Sequence, residues 1–138
     1  MNKLKEKKLN NKGFSLVELI IVIAIMAVLV GVLAPQYLRY VERSRVSTDS
    51  DNIAAIESAI QVYGADTEVP AAQALGAGSV TFDNSGITPN GGNINLALAA
   101  ANIDLATTLE NRQTQASVTI SVAIGADGQV TITDDWNP

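Results

Sequence analysis

The N-terminal third of the chain contains one long apolar run. Residues 14–34 are apolar at almost every position, and Glu18 is the only charged residue among them. Twenty-one residues at about 1.5 Å each make a helix of about 31 Å, which matches a hydrocarbon core of about 30 Å. The run therefore predicts a helix that can cross a membrane.

A second apolar pattern follows the first. Its members recur mostly at steps of three and four residues, which is typical of an amphipathic helix. Asp49, Asp51 and Asn52 lie in the middle of this segment, where we expect them to weaken the helix, and Gly64 is placed to end it. The apolar stripe consists of Leu38, Val41, Val46, Ile53, Ile56, Ile60 and Tyr63.

Together these two patterns predict one long helix over residues 14–63 with a weak point near Gly31 and Pro35. Relative to alanine, glycine costs about 1 kcal/mol inside a helix and proline about 3 kcal/mol. Pro35 also leaves the carbonyl of Gly31 without its usual donor. We expect the helix to be kinked or softened there.

The C-terminal part of the chain alternates between apolar and polar residues. Two such segments flank Gly125-Ala126-Asp127-Gly128, which predicts a β-hairpin over residues 117–136 with a four-residue turn. Residues 79–83 predict a further short strand. The apolar face of the hairpin consists of Val118, Ile120, Val122 and Ile124, with Val130 and Ile132 opposite them.

Between these strands, residues 93–110 are rich in alanine and leucine and predict one or two short helices, with Asn93 or Asn95 as the N-cap. The apolar face of the hairpin needs a cover, and the stripe on the long helix is the only sizeable partner that the sequence offers. The predicted fold class is α+β, with a long N-terminal helix packed on a small antiparallel sheet.

Composition narrows the possible chemistry. The 138 residues include no cysteine and no histidine. Disulfides, cysteine-ligated zinc and catalysis by histidine or thiolate are therefore excluded. A domain this small offers little room for a carboxylate-lined cleft, so we expect neither an enzyme nor a bound cofactor.

Charge divides the chain at the start of the apolar run. Residues 1–13 hold all five lysines and one glutamate, a net charge of +4, whereas residues 14–138 hold four arginines and thirteen acids, a net charge of −9. The acidic body would repel phosphate, so nucleic-acid binding is not expected. The basic head favours a cytoplasmic N-terminus for the membrane helix.

The basic head and apolar run allow more than one kind of export signal. A conventional secretory signal has an apolar core of only about 7–15 residues before a small-residue cleavage site. Here the run is longer, and it continues directly into the helical pattern after Pro35. Cleavage in front of the run, at Gly13, would leave the apolar segment on the mature protein.

The stretch KGFSLVELIIVIAIMAVLVGVLAP resembles the signal and N-terminal helix of type IV prepilins and related pseudopilins. The matching elements are the short basic leader, Gly13, Phe14, Glu18 at the fifth position after the cleavage point, and the apolar run that ends at Pro35. The strong likeness covers residues 7–45, which is under a third of the chain.

The resemblance implies a processing pathway and a partner set. A prepilin peptidase would cut between Gly13 and Phe14 and methylate the new Phe14 amine. A pilus assembly platform would then move subunits from membrane lipid into a non-covalent filament of identical copies. The precursor would cross the cytoplasmic membrane once, with a cytoplasmic N-terminus, and the mature protein would lie in an extracellular pilus on the cell surface.

The domain organisation follows from the same resemblance. Residues 1–13 would be a cleaved leader, residues 14–35 the transmembrane and filament-core helix, and residues 36–138 an extracytoplasmic α+β head. Within the head we expect the helix to continue over 36–63, a variable region over 64–116, and the hairpin over 117–136.

Glu18 has two possible roles. A carboxylate in the membrane core costs on the order of 3 kcal/mol and usually has a partner. The resemblance implies the Phe14 amine of an adjacent subunit, which lies at nearly the same depth. Alternatively, Glu18 extends to the lipid headgroups, since it is only about 6 Å along the helix from Phe14.

The remaining candidates are weaker. Asp127, Asp134 and Asp135 carry oxygen ligands of the kind that calcium prefers, but they lie in a turn and near the chain end. Three functions stay open: a type IV pilin, a pseudopilin or minor pilin of a type II secretion or DNA-uptake system, and a monomeric membrane protein with a small binding domain. If the protein does polymerise, we expect the helix to break between Gly31 and Pro35 on assembly.

Overall fold

The computed structural model of the chain describes residues 13–111 and 115–138. The predicted leader lies almost wholly outside the described residues. The chain forms two compact units, with the boundary between Leu38 and Arg39. The elements in chain order are α1 (Leu16–Ala65), β1 (Gly78–Asp83), β2 (Gly86–Gly91), α2 (Ile94–Ala100), β3 (Ser117–Ile124) and β4 (Val130–Asp134).

The first unit contains the N-terminal part of α1, which is apolar on every side. Its large hydrophobic side chains, from Phe14 to Leu38, are each 52–87% exposed. A helix that is apolar all round has no polar face to turn towards water. This unit therefore has no hydrophobic core of its own within the described residues.

The second unit contains a four-stranded antiparallel sheet in the order β2-β1-β3-β4. In the register of the two central strands, Phe82 of β1 lies opposite Val118 of β3 and Val80 lies opposite Ile120. Strand β2 lies at one edge and carries Pro89. Proline has no N–H to donate. An edge strand tolerates it because such a strand has a neighbour on only one side and needs no donor on the other.

The core of this unit lies between one face of the sheet, the C-terminal part of α1, and α2. Ile56 and Ile60 on α1 are completely buried, as are Phe82 and Ile120 on the central strands. Alternation along β3 places one side chain in two inside the core, as a sheet with one covered face requires. The α+β fold expected from the sequence, a long helix on a small antiparallel sheet, is confirmed.

Several local predictions are also confirmed, with small differences. The strand predicted over 79–83 is β1, and the predicted hairpin is the β3–β4 pair. Its loop is one residue longer than expected, because the Gly125 N–H donates to the Gln129 carbonyl oxygen at 2.8 Å. Strand β2 was not predicted, because Thr88-Pro89-Asn90-Gly91 has the composition of a turn.

The N-cap of α2 is Asn93, one of the two expected residues, but its side chain has a different role. Asn93 precedes the helix with a left-handed backbone (φ 55°) and makes no capping bond with its side chain. Its amide nitrogen instead donates to the carbonyl oxygen of Ala74 at 2.9 Å. Asn93 therefore fastens the preceding loop to the start of α2.

The buried part of the apolar stripe on α1, and the role of Asp49 within the helix, both differ from expectation. Leu38 is 66% exposed, and the fully buried part of the stripe begins at Ile53. Asp49, expected to weaken the helix, is completely buried. Its two carboxylate oxygens accept hydrogen bonds from the backbone N–H groups of Glu110 (2.8 Å) and Asn111 (2.7 Å). A loop 61 residues away in sequence supplies these donors, so Asp49 stabilises the fold.

Candidate processing and assembly site

The side chains of Ser15 and Glu18 cap the N-terminus of α1. The Ser15 hydroxyl oxygen accepts a hydrogen bond from the Val17 N–H at 3.3 Å, and a Glu18 carboxylate oxygen accepts one from the Ser15 N–H at 2.9 Å. This arrangement is a capping box in which the Ser15 hydroxyl accepts from the second helical N–H and not from the third, and it provides partners for N–H groups that the first turn of a helix leaves free.

The capping box determines where the helix begins. The Ser15 N–H is bonded to the Glu18 carboxylate, and helical structure begins at the next residue, Leu16. Gly13 and Phe14 consequently lie outside the helix. The peptide bond between them is presented as irregular chain in front of the first helical turn.

Gly13 has open space around it. A Cβ atom placed on this residue would have no neighbour within 4 Å. The backbone of Gly13 is also outside the left-handed region that favours glycine. Nothing within the described part of the chain requires glycine at this position, and the Phe14 side chain next to it is 87% exposed.

Glu18 thus has a partner inside its own chain. The sequence interpretation considered only a neighbouring subunit or the lipid headgroups for this carboxylate, and it missed the role of Ser15. The signal was present in the sequence, since Ser-x-x-Glu in front of an apolar run is the signature of a capping box. The carboxylate is bonded to a backbone N–H one residue from Phe14.

The apolar side chains after Glu18 surround the helix. By length and composition, α1 contains a segment that could cross a membrane, and none of that segment is buried within the chain. Such a surface is unfavourable in water, because apolar area costs about 25 cal/mol per Å² to expose. Lipid or other protein chains must therefore cover it.

Gly31 and Pro35 lie within continuous helix in this structure. A Cβ atom on Gly31 would meet no neighbour within 4 Å, so no packing contact in the described residues requires glycine. The expected break concerns the assembled state, which a single chain does not test, and it remains a prediction.

The three acidic candidates for a metal site have structural partners instead. Oδ1 of Asp127 accepts from the Gln129 N–H, Oδ1 of Asp134 from the Trp136 N–H, and Oδ1 of Asp135 from the Thr119 N–H. Within residues 13–111 and 115–138, no three acidic, histidine or cysteine side chains are grouped to hold a metal ion.

One carboxyl group in the second unit, that of Glu57, has a raised pKa. Burial raises the pKa of the half-buried Glu57 on α1, and the neighbouring carboxylate of Asp134 raises that pKa further. A carboxylate beside another carboxylate binds its proton more tightly because two like charges repel. Within the second unit, this pair connects α1 to the end of β4.

Comparison with known proteins identifies the N-terminal segment. Residues 8–34 match the family model described as the prokaryotic N-terminal methylation motif. The match includes the Gly13–Phe14 bond, the capping box and the whole apolar run over residues 14–34. No solved structure matches the chain.

The chain is also similar to named bacterial proteins. A prepilin peptidase-dependent protein A of Clostridium perfringens is 32% identical over 93 residues, which cover 67% of this chain and 60% of that protein. A type IV major fimbrial protein, FimA, of Dichelobacter nodosus is 42% identical over 50 residues, or 36% of this chain and 32% of that protein. A fimbrial protein of Pseudomonas aeruginosa is 38% identical over 50 residues, with the same coverage.

Proposed function

Because the chain belongs to the type IV pilin-like proteins that carry an N-terminal methylation motif, we propose that it is the structural subunit of a type IV pilus. Proteins of this family are structural components and not enzymes. In this proposal, subunits polymerise without covalent bonds through residues 14–35, after a prepilin peptidase has cut between Gly13 and Phe14.

One observation carries the proposal. Within residues 13–38, every large hydrophobic side chain is exposed, whereas the second unit buries a cluster of apolar side chains in a core. Such a chain presents a folded domain together with an apolar helix that needs an external partner. Lipid serves as that partner before assembly, and the helices of other subunits serve afterwards.

Processing at Gly13 agrees with the geometry of the site. A peptidase that binds the chain as an extended segment needs a scissile bond outside the helix, and the capping box keeps the Gly13–Phe14 bond in front of α1. Glycine at position 13 serves recognition by that enzyme, since the described chain places nothing beside it. The Phe14 amine released by the cut is then available for methylation.

Glu18 changes partner in this proposal. Before assembly its carboxylate accepts the Ser15 N–H of its own chain. In the filament it pairs with the Phe14 amine of a neighbouring subunit, where a full positive charge replaces a neutral donor. A charged partner is favoured because an ammonium group adds charge–charge attraction to the hydrogen bond, which a neutral N–H cannot supply.

A pair of variants separates the two roles of Glu18. Glu18→Gln keeps an acceptor for the capping box, which accepts glutamine as well as glutamate, but it cannot form an ion pair. Glu18→Ala removes both. We expect both variants to assemble no filaments and only Glu18→Ala to lose amide protection at the start of α1 in detergent. Normal piliation of Glu18→Gln would contradict the ion-pair role.

We also propose that α1 loses helical hydrogen bonds between Gly31 and Pro35 on assembly, because neighbouring chains can replace the partners that lipid cannot offer. The double variant Gly31→Ala with Pro35→Ala should give stiffer or fewer filaments and leave cleavage at Gly13 unchanged. A density map of native filaments with continuous α-helix through Pro35 would exclude this break.

The localisation follows from the same route. The precursor would cross the cytoplasmic membrane once, with its lysines on the cytoplasmic side, and the mature subunit would lie on the cell surface. The second candidate is a pseudopilin or minor pilin. The likeness to a prepilin peptidase-dependent protein and to type IV fimbrial proteins agrees with either candidate.

Sheared surface filaments decide among these functions. For a major pilin, we expect this chain as the most abundant component by intact mass, with its N-terminus at a methylated Phe14. Recovery from the membrane fraction alone, but with the Phe14 N-terminus, would indicate a pseudopilin. An uncut chain that begins at Met1 would exclude both and indicate a monomeric membrane protein.

A further inference from the structure

The C-terminal end of the chain is hydrogen-bonded to α1 in two ways, directly and through the segment in front of β3. The direct contact runs from the indole N–H of Trp136 to the hydroxyl oxygen of Ser50, at 3.0 Å. These two residues are 86 positions apart in sequence. Ser50 is anchored in turn, because its hydroxyl donates to the carbonyl oxygen of Val46 at 2.9 Å.

The indirect contact begins at the residue next to Ser50. The amide nitrogen of Asn111 donates to Asp49 Oδ2 at 2.9 Å, and the Asn111 side-chain oxygen accepts the Gln115 N–H at 2.9 Å. The Asn111 side chain therefore uses its donor towards α1 and its acceptor towards the start of β3. Both Asp49 and Asn111 are buried, so the contact is shielded from competing water.

Gln115 continues the path to the C-terminal end. Its amide nitrogen donates to the Asp135 carbonyl oxygen at 3.1 Å, and its side-chain oxygen accepts the Asn137 N–H at 3.2 Å. Asp135 Oδ1 also accepts the Thr119 N–H of β3 at 2.7 Å. One glutamine side chain thus bonds to the backbone on both sides of Trp136.

These contacts form a closed ring. The path leaves α1 at Asp49, passes through Asn111 and Gln115 to the C-terminal end, and returns to α1 from Trp136 to Ser50. We propose that this ring acts as one cooperative clasp that fastens the C-terminal end to α1, in place of a covalent cross-link. The chain has no cysteine that could supply such a link. The clasp consists of Asp49, Ser50, Asn111, Gln115, Asp135 and Trp136.

A cooperative ring makes a prediction that separate hydrogen bonds do not. If the contacts are independent, deletion of one side chain frees only the groups bonded to it. If they act as a unit, the deletion also frees groups on the far side, because each bond holds the geometry of the next. Gln115 is the residue to remove, because it bonds to neither α1 nor the Trp136 indole.

The experiment measures hydrogen exchange by NMR on the full chain in detergent micelles. Trp136 is the only tryptophan in the sequence, so its indole N–H gives a single signal. In Gln115→Ala we expect the Trp136 indole and the Asn111 backbone N–H to exchange about tenfold faster. The core amides of Phe82 and Ile120 should keep their protection. Gln61→Ala, the same deletion at an exposed site on α1, should change none of these rates.

The reciprocal variant tests the ring from the other side. Trp136→Phe keeps an aromatic ring but removes the N–H that reaches Ser50. We expect faster exchange of the Asn137 and Thr119 N–H groups, which bond to Gln115 and Asp135 and not to the indole. If either variant changes only the groups in direct contact with the altered side chain, the clasp is not a cooperative unit. This outcome is independent of whether the protein forms filaments.

Discussion

The two units of this chain use the same residue types for opposite purposes. Isoleucines of the N-terminal helix such as Ile21 are about half exposed (52%), whereas Ile56 and Ile60 further along the same helix are completely buried. Burial of one such side chain contributes about 1.5–3 kcal/mol. The second unit gains that energy when it folds, and the N-terminal unit can gain it only from lipid or another chain.

Polar groups differ between the units in the same way. In the N-terminal unit, the Ser15–Glu18 capping box is local, with partners three residues apart. In the second unit, Asp49 binds a segment 61 residues away. Local bonds set where a helix begins, whereas long-range bonds fix one part of a domain against another. Substitutions in the two units should therefore be detected by different measurements.

The largest expected effect is on processing. Gly13→Val should stop cleavage almost completely, because it puts a branched side chain where the peptidase must bind the extended chain. Intact mass and N-terminal sequencing would then show the uncut precursor in the membrane. Gly31→Ala is the matched control, since Gly31 also has open space around it, and it should be cleaved normally. A mature N-terminus at Phe14 in the Gly13→Val protein would contradict this role.

Next in size is the effect of a cavity in the core. Ile56→Ala should lower the free energy of unfolding of the second unit by about 2–5 kcal/mol, because the buried side chain leaves a void. The same substitution at Ile21 should leave that unfolding transition unchanged. Chemical denaturation monitored by Trp136 fluorescence measures both. Equal destabilisation by the two variants would mean that the units do not unfold separately.

A smaller loss is expected at the buried carboxylate. Asp49→Asn replaces one acceptor oxygen with a donor group that faces other N–H donors, so the unfolding free energy should fall by about 1–3 kcal/mol. Asp51→Asn, two residues along the same helix and exposed, should have almost no effect. The same denaturation experiment compares them, and unchanged stability of Asp49→Asn would show that these bonds are replaceable.

The smallest effect concerns pH. The pKa of Glu57 is higher in the folded chain than its ordinary value of 4.5, so the folded state binds a proton more tightly than the unfolded state. The contribution of Glu57 to stability should therefore become more favourable as the pH falls from neutral towards 4.5. Glu57→Gln should stabilise the second unit at neutral pH by less than about 1 kcal/mol, since the site is only half-buried.

The pH series also contains its own control. The advantage of Glu57→Gln should shrink as the pH falls through the pKa of Glu57, because the wild-type carboxyl then carries its proton. Glu68→Gln, at an exposed position in the loop after α1, should not change stability at any pH. A stabilisation by Glu57→Gln that stays constant with pH would come from packing and not from charge.

The sequence predicts those parts of the fold that depend on short-range periodicity. The long helix and the β3–β4 hairpin follow from apolar spacing within single segments. The side-chain partners of Asp49 and Asn93 were not predicted, because they lie in the loops at residues 110–111 and 72–74, in distant parts of the chain. A local sequence pattern does not predict which loop will pack against a given helix.

At the candidate site, by contrast, the residue that was missed has a local sequence signal. Gly13, Phe14 and Glu18 were identified from their spacing, but Ser15 was missed although its signal is local. The sequence interpretation gave Glu18 a partner outside the chain, and the capping box gives it one inside. Both partners can be correct at different stages, and the glutamine and alanine variants at Glu18 distinguish them.

Pro89 on the edge strand has a consequence for crowded surfaces. An exposed sheet edge offers free N–H and carbonyl groups to any neighbouring strand, which is a common start of β-aggregation. Proline withdraws one donor from the β2 edge, and the following Asn90 and Gly91 favour strand formation poorly. Domains held side by side at high density would therefore have little tendency to join through this edge. The turn-like composition of β2, which is the reason it was not predicted as a strand, would therefore also disfavour aggregation between closely spaced copies.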